Sequence, residues 1–302
     1  MVDFFPYASK TFDRHGLSLS YLDEGQGATV VMVHGNPTWS IYFRALVGEL
    51  TRDHRCIVPD HIGMGRSDKP GDDQYQYTLK SRVDDLEALL DHLGLTEQIT
   101  LVLHDWGGMI GMAYADRHPQ RIARLVVMNT AAFPMPVSKR FPLALRLART
   151  PLGAWLIRGF NAFSGVAARV CVKKQPLAKE LKKAYTAPYH SWSTRIATLR
   201  FVQDIPLHPR DLAWPIVNGV GERLPQFANT PLLICWGEKD FVFSLEFLEE
   251  WQRRLPHAQI HRFPDSGHYV LEDERETVVP LVRDFLVNHP LIPKRDSSLA
   301  AP

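Results

Sequence analysis

The decisive stretch is Leu101-Val102-Leu103-His104-Asp105-Trp106-Gly107-Gly108. It joins an apolar strand pattern to a helical pattern that begins near Met109, and its two glycines permit a tight turn with close packing of helix on strand. A residue in such a turn stands exposed at the carboxyl end of the strand, where enzymes place a nucleophile, commonly serine. Here the residue is Asp105, and Leu103 replaces the usual first glycine. The alternative is an aspartate that caps the following helix.

Two further ionisable residues follow strand patterns later in the chain. Asp240 comes just after the apolar run 232–236, and His268 follows the next strand. Nucleophile, acid and histidine in this chain order form a triad at the carboxyl edge of one sheet. Asn129 stands at an alternative acid position after the sixth strand, but it cannot ionise. We therefore predict Asp105 as nucleophile, His268 as base and Asp240 as the acid that orients it.

A fourth element is the segment Val33-His34-Gly35-Asn36-Pro37-Thr38-Trp39, which turns at a glycine after a strand. It brings the backbone N–H of Asn36 beside that of Trp106, and we expect the two to form an oxyanion hole. The side-chain amide of Asn36 and the indole N–H of Trp106 are also donors toward the same cavity. Donors of this kind suit an anionic leaving group.

Strand and helix patterns alternate along most of the chain. Residues 11–22 alternate in polarity and turn at His15-Gly16, which predicts a hairpin. The apolar runs that follow are typical of strands buried on both faces of a parallel sheet. With the triad order, this alternation predicts an α/β-hydrolase fold, a mostly parallel doubly wound sheet. The predicted strands cover residues 29–33, 55–58, 99–103, 124–128, 232–236 and 259–263, and the predicted helices 79–93, 109–117, 245–255 and 278–287.

The alternation of strand and helix patterns stops between residues 133 and 225. This segment is basic and contains several prolines, and its pattern predicts helices over 143–148, 152–163, 177–185 and 194–202. We interpret 133–225 as a helical cap inserted into a core formed by 1–132 and 226–290, with 291–302 as a flexible tail. From residue 133 to residue 214 there are 14 lysines and arginines against three acids. Such asymmetry indicates a surface for an anionic substrate, membrane face or acidic partner, or else solvated helix faces.

The rest of the composition limits the class of protein. Cys56 and Cys235 lie in apolar, strand-like runs, and the spacing of the three cysteines predicts neither zinc nor a disulfide framework. We expect no metal, no cofactor and no nucleic-acid partner. The start of the chain lacks a secretory pattern, and no run approaches the ~18 apolar residues of a spanning helix. A cytoplasmic protein with a small hydrophobic substrate is expected.

An aspartate nucleophile narrows the chemistry. A carboxylate attacks an sp³ carbon to give an alkyl ester, so the substrate should carry an electrophilic carbon with an oxygen or halide leaving group. In a hydrolytic cycle, water activated by His268 would then cleave the ester, and Asp240 would fix the tautomer of His268.

The chain resembles haloalkane dehalogenases over nearly its whole length, up to about residue 290. The resemblance is carried by residues 33–44, the run Pro59-Asp60-His61-Ile62-Gly63-Met64-Gly65-Arg66-Ser67-Asp68-Lys69-Pro70, and residues 104–108, 237–241 and 266–268. It implies Asp105 as nucleophile, His268 as base and Asn36 with Trp106 as the halide-binding pair. An acid at Asp240 together with Asn36 resembles the third dehalogenase subfamily, which merges with the β-lactone decarboxylases of bacterial long-chain olefin biosynthesis.

The cap resembles the decarboxylases more closely, in residues 158–163, 187–189 and 198–206. Dehalogenases more often carry a proline and a basic residue just before the Ile205-Pro206 pair. The resemblance implies a cis-dialkyl β-lactone that Asp105 opens at the carbinol carbon or at the carbonyl, with loss of CO2 to a cis-alkene. Arg200 could pair with the released carboxylate, or it is a surface cation of the cap. Other pathway enzymes are candidate partners of the basic cap. Residues expected to line an apolar cavity are Phe133, Phe141, Leu145, Trp155, Phe160 and Phe163.

Three other functions remain open at this point. A haloalkane dehalogenase would release halide hydrolytically. An epoxide hydrolase would need cap tyrosines, for which Tyr185 and Tyr189 are candidates, although Asn36 is a poor match to that family. A non-catalytic ligand receptor of the same fold has no reason to keep Asp240 and His268 in register.

Overall fold

The computed structural model describes residues 5–291, and eight strands form a single sheet within that range. Its order is β1-β2-β4-β3-β5-β6-β7-β8. Strand β2 pairs antiparallel with β1 and β4, and every pair from β4 across to β8 is parallel. The strands are β1 (Lys10–Arg14), β2 (Leu17–Glu24), β3 (Ala28–Val33), β4 (His54–Pro59), β5 (Ile99–Asp105), β6 (Ile122–Thr130), β7 (Leu232–Gly237) and β8 (Gln259–Phe263).

The predicted α/β-hydrolase fold is confirmed, including the hairpin at His15-Gly16 and the parallel order of the later strands. The central strand β5 is buried over its whole length, as its continuous apolar run predicts. Strand β8 differs, because its residues are half-buried or exposed. It lies at the edge of the sheet, so only one neighbouring strand covers it.

Twelve α-helices lie within the described range. The core helices pack on both faces of the sheet, and the apolar residues Val83, Leu86 and Leu90 of α2 are buried. They are α1 (Arg44–Leu50), α2 (Leu79–His92), α3 (Trp106–Arg117), α10 (Leu245–Arg254), α11 (Val270–Asp273) and α12 (Arg275–Asn288). Between β6 and β7 lie α4 (Leu143–Ala148), α5 (Pro151–Phe160), α6 (Ala162–Val170), α7 (Lys179–Thr186), α8 (Ile196–Gln203) and α9 (Trp214–Arg223).

One helix prediction in this insertion was wrong. The single helix predicted over 152–163 is two helices, α5 and α6, because Asn161 between them adopts the left-handed conformation with φ 54° and ψ 33°. Asparagine tolerates that conformation better than most residues do, so it can end one helix and begin the next. The division into a core and a 133–225 cap stays a prediction, and residues 292–302 of the predicted tail lie outside the described range.

Candidate active site

Asp105 occupies the tight turn between β5 and α3. Its backbone has φ 53° and ψ −128°, a conformation that a non-glycine residue rarely adopts and that costs about 1–3 kcal/mol. Glycine is needed next to it, because a Cβ on Gly107 would overlap the carbonyl of Val33 and one on Gly108 would overlap the side chain of Thr130. The side chain of Asp105 makes no capping hydrogen bond to α3. The helix-cap alternative therefore does not describe this aspartate.

The structure brings the three residues of the predicted triad together at the carboxyl edge of the sheet. His268 Nδ1 lies 2.7 Å from Asp240 Oδ2, and His268 Nε2 lies 3.3 Å from Asp105 Oδ2. All three residues are buried, at 6% exposure or less. This chain of carboxylate, imidazole and carboxylate allows His268 to exchange a proton with groups bound at Asp105 while Asp240 holds its other nitrogen.

The charges of this cluster are strongly coupled. Burial alone would lower the pKa of His268, but the carboxylates of Asp240 and Asp105 outweigh it and raise the pKa to about 10. Burial would raise the pKa of Asp240, yet the charge and hydrogen bond of His268 bring it below its ordinary value. The two neighbouring acidic side chains therefore favour the imidazolium form of His268. Esterification of Asp105 would remove one of those charges and lower the pKa of His268.

Asn129 has a part in the site that the sequence analysis did not foresee. It stands at the end of β6 with a positive φ of 37°. Its amide nitrogen lies 3.0 Å from both Asp240 Oδ2 and the carbonyl of Gly237, and its amide oxygen accepts from the Gly237 N–H at 2.9 Å. The amide thus joins the ends of β6 and β7 and positions Asp240. In the sequence, this role could have been inferred from the presence of an asparagine at the alternative acid position after the sixth strand.

Replacing Asn129 by alanine should lower kcat by about 10- to 100-fold, because a hydrogen bond to a buried charged group contributes about 1.5–3 kcal/mol. Steady-state kinetics over a range of pH would measure it, with KM expected to change little. Asn218→Ala, at a half-buried position of α9 whose amide donates to Glu222, is the matched control. An unchanged kcat in Asn129→Ala would contradict a positioning role for Asn129.

Asn36 and Trp106 both line the cavity that contains Asp105. The backbone N–H of Asn36 donates to Asp105 Oδ1 at 2.6 Å, and its side-chain amide donates to the carbonyl of Thr198 at 3.0 Å. One amide hydrogen of Asn36 is therefore committed to helix α8, which was not expected. Both residues line the cavity described below, and within the described range the indole N–H of Trp106 has no protein acceptor. A ligand in the cavity can accept from it.

His104 and His34 are buried hydrogen-bonding residues next to the site. His104 Nε2 lies 2.9 Å from the carbonyl of His268, and its ring stacks on Tyr42 with centroids 4.2 Å apart. Burial and the neighbouring imidazolium lower the pKa of His104 to about 3, so it is neutral. His34 Nδ1 lies 2.9 Å from the carbonyl of Gly35. Both histidines thus support the strand ends.

A cavity of about 310 Å³ extends from Asp105 into the inserted helices and is almost entirely apolar. The ionisable side chains among its lining residues are Asp105, His268, Lys139 and Cys171. Of the six expected lining residues, four line it: Phe133, Phe141, Leu145 and Phe163. Trp155 and Phe160 do not. They point outward from α5 and are 50% and 65% exposed.

The two candidate cap tyrosines do not reach the cavity. Tyr185 donates to Glu272, and the hydroxyl of Tyr189 lies 3.4 Å from the carbonyl of Thr38. Both rings are buried, and neither lines the cavity. Activation of an epoxide oxygen by these hydroxyls therefore has no geometric support.

Arg200, the expected partner of a substrate carboxylate, does not line the cavity either. Its guanidinium pairs with Asp72 through Nε at 2.8 Å and through a second nitrogen, and it also donates to Gln203 at 2.5 Å. The arginine side chain is 33% exposed. The surface-cation alternative describes this geometry better, because the donors of the guanidinium already have partners outside the cavity.

Comparisons with known proteins identify the fold family of the chain. A family model described as the alpha/beta hydrolase fold matches residues 28–154 and 169–275. The variant haloalkane dehalogenase structure from Agrobacterium tumefaciens has a TM-score of 0.84 at 26% identity, and the match covers 95% of this chain and 98% of that one.

Curated relatives narrow the family further. The cis-3-alkyl-4-alkyloxetan-2-one decarboxylase of Shewanella oneidensis is 56% identical over 93% of this chain and 89% of that relative. The enzyme of the same name from Xanthomonas campestris is 49% identical over 95% and 98%. A haloalkane dehalogenase from Mycolicibacterium paratuberculosis is 31% identical over 86% and 85%. The chain therefore belongs to the α/β-hydrolase fold family and, within it, to the cis-3-alkyl-4-alkyloxetan-2-one decarboxylases.

Proposed function

We propose that the protein is a β-lactone decarboxylase, which converts a cis-3-alkyl-4-alkyl-oxetan-2-one into an alkene and CO2 with Asp105 as nucleophile. The observation that carries the proposal is the 56% identity to a decarboxylase along nearly the whole chain. The apolar cavity next to Asp105 supports it, because two alkyl arms need an apolar site and the lining residues offer few polar groups.

The first step is ring opening. An oxygen of Asp105 attacks the carbinol carbon from the side opposite the ring oxygen. The carbon–oxygen bond of the ring breaks, and the ring oxygen becomes part of a free carboxylate. Attack at the carbonyl would instead leave an alkoxide on that carbon, and later loss of CO2 would have to expel hydroxide, a poor leaving group. The carbinol carbon is therefore the favoured position, and the indole N–H of Trp106 is a donor for the new carboxylate.

The second step releases both products. The bond between the carboxylate carbon and its neighbouring ring carbon breaks, and its electrons form the double bond while Asp105 departs as a carboxylate. Inversion in the first step places the ester oxygen opposite the carboxylate, ready for this departure. Inversion followed by opposite-side departure equals a net same-side loss, so a cis-lactone gives a cis-alkene. No water or other reactant is consumed.

His268 and Asp240 serve the second step in this scheme. A carboxylate leaves more easily when a cation beside it stabilises its charge, and the imidazolium nitrogen of His268 lies 3.3 Å from Asp105. Asp240 keeps the ring oriented through its bond to the other nitrogen. In a dehalogenase cycle the same histidine would have to be neutral and activate water.

Product analysis tests the proposal. The purified enzyme would be given a cis-dialkyl β-lactone, 1,3-dibromopropane and a terminal epoxide in parallel, with alkene, CO2, bromide and diol measured. Alkene and CO2 in equal amounts from the lactone, at a kcat/KM far above that for the other two, are expected. Bromide release as the fastest reaction would establish a dehalogenase instead.

Replacing Trp106 by phenylalanine should lower kcat for the lactone by about 10²–10³-fold, the usual effect of removing one donor to a developing anion. Within the described range the indole N–H of Trp106 has no protein acceptor, so it is free to donate to the developing carboxylate. Steady-state alkene formation measures the effect. Trp192→Phe, at a half-exposed position, is the control. A Trp106→Phe enzyme with the kcat of wild type would exclude this role.

Replacing Arg200 by alanine should change lactone turnover by no more than about twofold, because its guanidinium is held by Asp72 outside the cavity. Loss of this partly exposed ion pair should cost about 0–1 kcal/mol of unfolding free energy. Enzyme kinetics and urea unfolding measure the two effects, with the exposed Lys80→Ala as control. A tenfold loss of turnover at unchanged stability would instead indicate that Arg200 binds the substrate.

The proposal includes a cytoplasmic location. Its support is that Cys56, Cys171 and Cys235 are all free and buried, as suits a reducing compartment. Within the described residues no helix is long and apolar enough to cross a membrane.

A further inference from the structure

Large apolar side chains are exposed on the outside of α4, α5 and α6. On α5, Leu152 and Trp155 are exposed while Gly153 and Ile157 are buried, so the helix has one apolar face toward the protein and another toward solvent. Exposed apolar residues grouped on neighbouring helices mark an interaction surface. We name the group the apolar cap face: Leu143, Leu147, Leu152, Trp155, Phe160 and Val166.

A basic groove of about 430 Å³ adjoins this face. It lies between α6 and α7, and four of its lining residues are cations: Arg169, Lys179, Lys182 and Lys183. Within the described residues none of the four forms an ion pair with an acid, and Glu180 is the one acid of α7. Phe160 belongs to both surfaces, because it lines the groove and packs edge-on against Trp155 with ring centroids 4.8 Å apart.

The apolar cap face is also continuous with the catalytic cavity. Leu147 and Val166 line the cavity although they are 48% and 53% exposed. An opening of the cavity at these two residues, on α4 and α6, would be apolar and would lie on the apolar cap face. Whatever covers the face would also cover such an opening.

We propose that the apolar cap face and the basic groove dock the enzyme on an anionic phospholipid bilayer. Aromatic and leucine side chains that enter the interfacial layer and lysines that meet anionic headgroups are the two contributions that hold a peripheral protein on a membrane. A partner protein would explain the unpaired cations, but an apolar entrance beside them matches a bilayer, from which an apolar ligand enters the cavity without crossing water. The proposal goes beyond the reaction and does not depend on it.

Vesicle flotation of the full-length protein tests the docking. Vesicles of pure phosphatidylcholine and vesicles with about 30 mol% phosphatidylglycerol would be compared at low and high salt. The protein should float with the anionic vesicles at low salt, weakly with the neutral ones, and less at high salt. Binding is measured without substrate, so a failure here is distinct from a failure of the proposed reaction.

A variant of the basic groove and a matched control test whether the groove contributes to binding. Each lysine near an anionic surface contributes about fivefold to partitioning, so joint replacement of Lys179, Lys182 and Lys183 by glutamine should weaken binding about 100-fold. The matched control removes three exposed arginines outside the cap: Arg52, Arg253 and Arg275, also to glutamine. It should bind like wild type. Unchanged thermal unfolding would show that the variants remain folded.

Quenching of tryptophan fluorescence by brominated lipid locates the apolar part. Trp155 should be quenched on anionic vesicles, and the quenching should be largely lost in Trp155→Phe. Three results would overturn the proposal. The first is that the protein floats with neither vesicle type, which would indicate a protein partner for this surface. The second is equal vesicle binding of wild type and the lysine variant. The third is a lipid-free dimer that the double variant Trp155→Ser with Phe160→Ser dissociates, which would assign the face to a second copy of the chain.

Discussion

Asp105→Asn should abolish turnover of the β-lactone while the fold is kept. An amide is a far weaker nucleophile than a carboxylate, and loss of a catalytic nucleophile lowers kcat on the order of 10⁶-fold. The fold should persist because asparagine tolerates the positive φ of this turn about as well as aspartate does. Alkene formation under single-turnover and steady-state conditions measures the effect.

Two controls accompany this variant. Asp265→Asn makes the same change at a carboxylate that is 77% exposed, close to His268 along the chain, and should leave turnover unaltered. Intact mass and peptide mapping must exclude slow deamidation of the introduced asparagine back to aspartate. Activity above a few per cent of wild type in a verified asparagine enzyme would contradict attack by this carboxylate.

The fold and the three triad residues could be predicted because their signals are local. Buried parallel strands require continuous apolar runs, and the turn after β5 requires glycines where a Cβ would overlap β3 and β6. Parallel strands end at one edge, so Asp105, Asp240 and His268 had to meet there once the order of elements was known. That proximity followed from topology rather than from any single residue.

The cap was harder to predict because its residues depend on tertiary contacts. Trp155 and Phe160 have the apolar character of cavity residues, yet α5 turns them outward because Gly153 and Ile157 occupy its inner face. Arg200 does not have its expected role because its guanidinium pairs with Asp72, which lies 128 residues earlier in the chain. A pairing over that distance leaves no periodic pattern in the sequence.

The protonation state of His268 separates the two reactions that this geometry could perform. Decarboxylation needs the imidazolium, since it stabilises Asp105 as the leaving carboxylate. The pKa of His268 is raised to about 10 in the free enzyme, and it is lower once Asp105 is an ester. The rate of decarboxylation should therefore fall as pH rises through the pKa that His268 has in the ester intermediate. Hydrolysis needs the neutral base, and its rate should rise with pH. The two pH profiles should slope in opposite directions in the same enzyme.

His268→Ala should give opposite outcomes with the two substrate classes. With 1,3-dibromopropane Asp105 can still be alkylated, but no base activates water, so a stable bromopropyl ester should accumulate and appear in the intact mass. With the β-lactone the ester carries its own carboxylate and can collapse to alkene and CO2 without water, so any adduct should be transient and should decay to alkene and CO2. Turnover should still fall by about 10²–10⁴-fold, because the departing carboxylate loses its cation. His261→Ala, on the edge strand β8, is the control. A lactone adduct in His268→Ala that does not decay to alkene would mean that the ester is normally removed by water, and a complete absence of adducts with 1,3-dibromopropane would exclude the covalent route.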